Sequence, residues 1–191
     1  PYDQGFGFGA NMGWYPGWTD DQLADIAIGN PAMNVRGTGV NALRPSLPES
    51  FVEEWGYDIR TNTFQHYSDL GATENTVFIG YPSQKHRDKI YYCADQPSEM
   101  FDNLYREIWD DGTDGTPYND DNWYAAYVYK LVDEYKDHVR FWEIWNEPDN
   151  KGKNSADDYA HFYIRTAEII REQIPDATLY ALSLAGLGEK G

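Results

Sequence analysis

Two acidic side chains stand four residues apart around the end of one apolar stretch. Residues 141–149 read Phe-Trp-Glu-Ile-Trp-Asn-Glu-Pro-Asp, so Glu143 lies inside the run and Glu147 at its end. In a strand, Glu143, Trp145 and Glu147 share one face and Asn146 lies on the other, because strand side chains alternate. A carboxyl group on an apolar face is costly unless it is solvated or paired. Glu147 stands where the run ends and Pro148 forces a turn, so we interpret Glu147 as a candidate for acid–base chemistry.

Short apolar runs alternate along the chain with longer amphipathic runs, and these runs predict the strands and helices that position this segment. Strands are predicted at residues 5–11, 40–44, 76–80, 139–145 and 177–184. Helices are predicted after Thr19, before Gly71, and at residues 98–110, 122–138 and 155–174. Such alternation is typical of βα units and a parallel sheet. We predict an α/β fold, a (β/α)8 TIM barrel of which residues 1–191 supply strands 1 to 5 as the N-terminal part of one domain.

The first predicted helix carries the clearest local signals. Thr19 is followed three residues later by Gln22, which predicts a capping box at the helix start. Leu23, Ile26 and Ala27 are expected to form its buried stripe.

Residues 145–148, Trp-Asn-Glu-Pro, resemble a known signature at the end of the fourth predicted strand. It is similar to the Asn-Glu-Pro motif of the retaining glycoside hydrolase clan with (β/α)8 barrels, which includes cellulases, mannanases, xylanases and β-xylosidases. The resemblance implies that Glu147 is the general acid/base and that Asn146 holds the sugar 2-hydroxyl. The carboxyl ends of barrel strands carry the active site, which fits Glu147.

The resemblance extends over residues 5–185. Residues 41–45, Asn-Ala-Leu-Arg-Pro, match a segment in which clan members carry an Arg that hydrogen-bonds the nucleophile, which implies that role for Arg44. Glu143 also fits a recurring clan pattern. Many members place a His shortly after strand three, and His86 lies a few residues beyond that position. The resemblance implies neither a cofactor nor a metal ion.

Retention of configuration requires two carboxyl groups about 5 to 5.5 Å apart. The clan carries the second carboxyl group at the end of strand seven, beyond these residues. Glu189 follows the fifth predicted strand, so we reject it as the second carboxyl group. We therefore expect the nucleophile and the C-terminal half of the barrel in the same polypeptide or in another chain.

Aromatic residues are abundant, with 7 Trp, 16 Tyr and 8 Phe among 191 residues. Indole and phenol rings at strand ends can stack on sugars as well as pack a core. Trp14, Trp18 and Tyr81 are candidate stacking platforms, and Trp145 and His86 are further candidate substrate contacts. The expected partner is thus a carbohydrate.

Composition excludes several other classes of protein. The chain has 32 Asp and Glu against 15 Lys and Arg, a net charge of −17, which argues against binding of nucleic acid or an anionic membrane. The one cysteine, Cys93, allows no intrachain disulfide and no zinc–cysteine site. Apolar runs are too short for a membrane span of about 20 residues. The start at Pro1, near the first predicted strand, fits a processed mature protein or a shortened one, and the acidity suits solubility, as in a saline or extracellular habitat. We expect an extracellular or periplasmic location.

Three alternatives stay open. Residues 110–121 partly imitate a calcium loop, with Gly115 at the sixth position and Asp121 at the twelfth, but Gly112 stands at the third, so a solvated turn is favoured. A non-catalytic glycan-binding or structural protein with a degenerate barrel would keep the aromatic surface. A nucleotide-binding sheet would need a phosphate loop, and the glycines of residues 5–9 have the wrong spacing.

Overall fold

The computed structural model describes residues 9–11, 16–80, 86, 103, 105–149, 156–181 and 184. In these residues there are five short strands and five α-helices. The strands are β1 (Gly9–Asn11), β2 (Ala42–Arg44), β3 (Thr76–Ile79), β4 (Phe141–Ile144) and β5 (Thr178–Tyr180). The helices are α1 (Asp20–Ala27), α2 (Glu49–Trp55), α3 (Thr61–Asp69), α4 (Trp123–Tyr135) and α5 (Ala156–Gln173). Short 3-10 turns cover Pro31–Met33 and Tyr57–Arg60.

The strands form two small parallel sheets, so the predicted (β/α)8 TIM barrel is wrong. One sheet pairs β1 with β2, and the other has the order β3-β4-β5. Between the sheets the described residues make one isolated parallel bridge, from Ser46 to Phe78. A barrel requires a sheet closed on itself with consistent stagger. The alternation of strands and helices predicts parallel pairing correctly, but it does not indicate whether the sheet closes into a barrel.

A buried amide at the amino ends of β3 and β4 joins the two sheets. Asn75 is fully buried, and its Oδ1 accepts a hydrogen bond of 3.2 Å from the Leu43 backbone N–H in β2. Its Nδ2 donates to the His138 carbonyl at 3.3 Å, and its own carbonyl accepts from Phe141 N–H at 3.1 Å. One residue therefore binds both β2 and the start of β4.

The core lies between the three-stranded sheet and the helices. The largest side chains that are fully buried include Trp142 of β4, Phe64 of α3, Tyr135 of α4 and Phe162 of α5. Helix α4 is buried along most of its surface, as expected for a helix packed on more than one side. Its N-terminus is capped by Asn122, whose side chain accepts from the Ala125 N–H.

Helix α1 confirms one local prediction and corrects another. The capping box is present, with Thr19 Oγ1 accepting from Gln22 N–H at 3.2 Å and Gln22 Oε1 accepting from Thr19 N–H at 3.0 Å. The buried residue, however, is Ala24, while Ile26 is 44% exposed. Leu23 and Ala27 are half-buried, so Ile26 is the residue of the predicted stripe that is wrong.

The connection after β3 differs from its prediction in the part that is described. Residues 105–110, expected to end a helix, are not helical, and Trp109 forms an antiparallel bridge to Tyr118 instead. Helix α2 was not predicted, because Pro45 and Pro48 indicated a loop. Pro48 is in fact the N-cap residue of α2, a position where the missing N–H is not needed.

Candidate functional site

The candidate site lies at the carboxyl ends of β2, β3 and β4, where the backbone leaves the strand conformation abruptly. β4 ends at Ile144, and Trp145 and Glu147 both have positive φ angles, 64° and 54°. Residues other than glycine adopt this left-handed region at a cost of about 1 kcal/mol or more, and such strain concentrates at functional sites. The alternation of side chains between the two faces of the strand, predicted through Glu147, therefore stops at Ile144. As a result, Asn146 lies on the same side as Glu143.

Arg44 binds two of the residues that the sequence resemblance singled out. Its Nε and one terminal nitrogen donate to the two carboxylate oxygens of Glu143, each at 2.5 Å. The same terminal nitrogen donates to Asn146 Oδ1 at 2.7 Å. Glu143 is only 2% exposed, so this bidentate pair neutralises a buried carboxylate. The guanidinium group also lies over the Phe78 ring, 4.6 Å from its centroid.

The arginine fixes the orientation of the Asn146 amide. Arginine has only donors, so the amide oxygen must face it. The Asn146 NH2 group is then the donor end of this side chain. This is the polarity needed to bind a hydroxyl oxygen.

Glu147 follows Asn146 directly and is half-buried, and the next residue, Pro148, is buried. A hydroxyl group from α5 supports this turn, because Tyr159 donates a 2.8 Å hydrogen bond to the Ile144 carbonyl at the end of β4. The turn that carries the candidate acid is thus held from the strand side by a buried phenol. Arg44, Glu143, Asn146 and Glu147 therefore form one local group.

Trp145, expected as a substrate contact, lies in the core instead. Its ring is 2% exposed and meets Phe162 edge-on at 5.5 Å. The ring also covers Gly80, where a Cβ atom would come within 2.5 Å of Trp145 Cε3. The positive φ angle of Trp145 turns this side chain inward, which the alternation of strand side chains does not predict.

The other predicted substrate contacts are dispersed. Trp18 is 52% exposed directly before α1. His86 is described, and its Nδ1 lies 2.8 Å from Glu49 Oε1. Trp14, Tyr81 and the rejected candidate Glu189 lie outside the described residues.

Sequence reasoning missed Glu49, a carboxylate that is 1% exposed at the start of α2. It also missed Tyr127 of α4, which donates to the Leu47 carbonyl at 2.6 Å and approaches the Gly80 carbonyl at 3.5 Å. Burial raises the pKa of the Tyr127 hydroxyl well above its usual value, so the group keeps its proton. An acidic residue directly after a proline that can begin a helix is the signal that could have indicated Glu49.

The acidic loop at residues 110–121 uses its carboxylates for its own backbone. Asp110, Asp111 and Asp114 accept hydrogen bonds from the N–H groups two residues later. The Thr116 N–H and hydroxyl hold the pKa of Asp114 below its usual value. Within the described residues no group of three His, Cys, Asp or Glu side chains is arranged to hold a metal ion.

Comparison with models of known protein families gives no match, and no curated protein matches the sequence. None of the helices in the described ranges has the length and apolar character needed to cross a membrane.

Proposed function

We propose that the protein is a retaining β-glycoside hydrolase that acts on a polysaccharide or oligosaccharide, with Glu147 as general acid and base. The observation that carries the proposal is the convergence on Arg44. This residue of β2 is hydrogen-bonded to Glu143 and Asn146, which are 99 and 102 positions away in the sequence. They lie four residues and one residue before Glu147. The same four positions carry the sequence resemblance.

The geometry of the turn supports the roles of the individual groups. Asn146 directs its amide oxygen to Arg44, so the proposed contact with the sugar 2-hydroxyl is made by the NH2 end of the same amide. Glu147 is half-buried at the next strained position. A partly desolvated carboxyl group beside a fixed donor suits proton transfer to a glycosidic oxygen.

In the first step, Glu147 gives its proton to the leaving oxygen while a second carboxylate attacks the anomeric carbon. In the second step, Glu147 takes a proton from water while the water oxygen attacks the anomeric carbon, which breaks the bond to the second carboxylate and releases the sugar. Glu143 does not fit the second carboxylate, because both of its oxygens accept from Arg44 and it is 2% exposed. We propose that the nucleophile is a Glu outside residues 1–191, in the same or another chain.

The test is replacement of Glu147 by Gln in the complete polypeptide that carries this sequence, assayed with aryl β-glycosides. Removing a general acid should cost about 100-fold or more in kcat/KM with phenol as leaving group. With dinitrophenol, which needs no protonation, glycosylation should be nearly unchanged. Asp149→Asn is the matched control, because Asp149 is an exposed acid two residues away. Unchanged hydrolysis of the phenyl glycoside by Glu147→Gln would refute the role of Glu147.

The rival function is glycan binding without hydrolysis. It is favoured by the exposed indole of Trp18 and by the engagement of Glu143 in an ion pair. Retention of oligosaccharides with no turnover by the complete polypeptide would support this rival. For either function, we propose that the protein acts on carbohydrate outside the cell or in the periplasm.

A further inference from the structure

The loop that follows Trp109 contains two Asp–Gly peptide bonds. They are Asp111–Gly112 and Asp114–Gly115, and all four residues are exposed. At such a bond the backbone nitrogen of the glycine can attack the carboxyl carbon of the aspartate side chain, because glycine has no side chain that hinders the approach. The hydrogen bonds around the two peptide bonds differ, so we expect them to react at different rates.

The reaction converts aspartate into isoaspartate in two steps. In the first step, the glycine nitrogen forms a bond to Cγ of the protonated carboxyl group, whose OH group leaves as water with the proton of that nitrogen. In the second step, water attacks the main-chain carbonyl carbon of the resulting succinimide and breaks its bond to the glycine nitrogen. The chain then continues through Cγ, and the former main-chain carbonyl becomes a carboxylate. Water is the only co-reactant.

The side chain of Asp111 points in the direction of ring closure. Its Oδ1 accepts a hydrogen bond of 3.1 Å from the Thr113 N–H, two residues further along the chain. This bond draws the carboxyl group forward, towards the nitrogen of Gly112 that would attack it. A single neutral donor holds the carboxyl group, so the bond opens readily at an exposed position.

The attacking nitrogen of Gly112 has a base within hydrogen-bonding distance. Its N–H donates to Asp110 Oδ1 at 2.9 Å. A carboxylate at this distance can take the proton of the nitrogen as the new bond to Asp111 forms. The base, the electrophile and the attacking group therefore lie in three consecutive residues.

The bond between Asp114 and Gly115 differs in both respects. The Gly115 N–H donates to the Gly112 carbonyl at 3.1 Å, and a peptide carbonyl is not a base. Asp114 Oδ1 accepts from both the N–H and the hydroxyl of Thr116, each at 2.9 Å. These donors stabilise the ionised carboxylate and hold the pKa of Asp114 below its usual value, whereas ring closure uses the protonated carboxyl group.

We propose that Asp111 is a site of spontaneous conversion to isoaspartate, that Asp110 is the base for the attacking nitrogen, and that Asp114 resists the same reaction. The modification inserts one carbon atom into the main chain between Trp109 and Tyr118, which form the antiparallel bridge of this loop. The proposal does not depend on the proposed function.

The first test compares the folded protein with its own tryptic peptide, residues 107–130, which contains both Asp–Gly bonds. Both samples are incubated for several weeks at neutral pH, the protein is then digested, and electron-transfer fragmentation locates the isoaspartate. In the folded protein, residue 111 should convert at least about 10-fold faster than residue 114, whereas in the peptide the two rates should be similar. Equal rates in the folded protein, faster conversion of residue 114, or no isoaspartate at either position would overturn the proposal.

Two variants test the base and the geometry separately. Asp110→Asn keeps an oxygen that accepts from the Gly112 N–H but removes the base, so it should slow conversion of Asp111 about 10-fold. An unchanged rate would overturn the role of Asp110. Asp111→Asn should close the same succinimide with loss of ammonia, which is read from the mass increase when the amide becomes an acid. An amide that stays intact would show that the loop prevents ring closure, and this too would overturn the proposal.

Discussion

Arg44 and Glu143 belong to different sheets, and their ion pair joins those sheets at the carboxyl ends of the strands. Arg44 ends β2, and Glu143 lies in β4, beyond the intervening strand β3. The guanidinium group reaches Glu143 across the Phe78 ring, which is in register with Glu143. The contact that organises the candidate site is therefore also a tertiary contact of the fold.

Loss of one partner of this pair should be strongly destabilising. Arg44→Met leaves a carboxylate that is 2% exposed without its cation, and we expect a loss of about 3 kcal/mol or more in the free energy of unfolding. The double variant Arg44→Met/Glu143→Leu should recover part of that loss, because neither charge remains. Urea denaturation monitored by tryptophan fluorescence measures both. A loss below about 0.5 kcal/mol for the single variant would mean that the pair does not hold the sheets together.

Gly80 should tolerate no side chain. Gly80→Ala would place Cβ 2.5 Å from Trp145 Cε3 at a φ angle of +127°. Gly71→Ala is the matched control, since Gly71 also has a positive φ, +94°, but no atom within 4 Å of the added Cβ. We expect the control to lose about 1 kcal/mol from backbone strain and Gly80→Ala to lose about 1 to 3 kcal/mol more from overpacking. Equal losses in thermal unfolding would contradict the close approach of Trp145.

The phenol of Tyr159 should contribute through one hydrogen bond. Tyr159→Phe leaves the buried Ile144 carbonyl without this 2.8 Å donor and should cost about 1 to 2 kcal/mol. Tyr163→Phe removes a hydroxyl from the neighbouring half-buried ring of α5 and should change stability by less than about 0.5 kcal/mol. Chemical denaturation of the two variants side by side checks the difference. If both variants lose the same free energy of unfolding, the hydrogen bond to the Ile144 carbonyl makes no specific contribution to stability.

Asp114 should titrate below an ordinary aspartate. The Thr116 N–H and hydroxyl stabilise its charged form, which lowers its pKa in the folded state. The resulting stabilisation is present above the pKa of the unfolded chain and is lost as the pH falls through the folded pKa.

Carboxyl ¹³C chemical shifts measured during an acid titration should give Asp114 a lower midpoint than an ordinary aspartate. Thr116→Val removes the hydroxyl donor and should raise the Asp114 midpoint, whereas Thr116→Ser keeps both donors and should not. A midpoint at or above that of a model aspartate would rule out the turn geometry around Asp114. Millimolar Ca²⁺ should leave these shifts unchanged if the loop is the solvated turn that the sequence favours.

Features encoded over a few residues were predictable from the sequence. The capping box of Thr19 and Gln22, the end of α3 before Gly71 and the parallel pairing of βα units all follow from local spacing. The first two depend on neighbours in the chain, so a short window contains the necessary information. The parallel pairing follows instead from the alternation of strands and helices along the sequence.

Features decided by distant contacts were not predictable. The two separate sheets depend on how strands of three or four residues meet, which no local pattern specifies. Trp145 was expected to contact substrate because the alternation of strand side chains was assumed to continue after Ile144. The positive φ angle of Trp145 ends that alternation. Glu49 became visible as a site residue only when the fold brought His86 against it.

Asn75 lies away from the candidate site and yet sets the offset between its two halves. Its side chain binds the N–H of Leu43, one residue before Arg44, and its carbonyl binds the N–H of Phe141, two residues before Glu143. Sliding of β2 along β4 would break one of these bonds before it separated the ion pair. The offset between Arg44 and Glu143 therefore depends in part on a buried amide, so a substitution at Asn75 can disturb the ion pair without changing either of its partners.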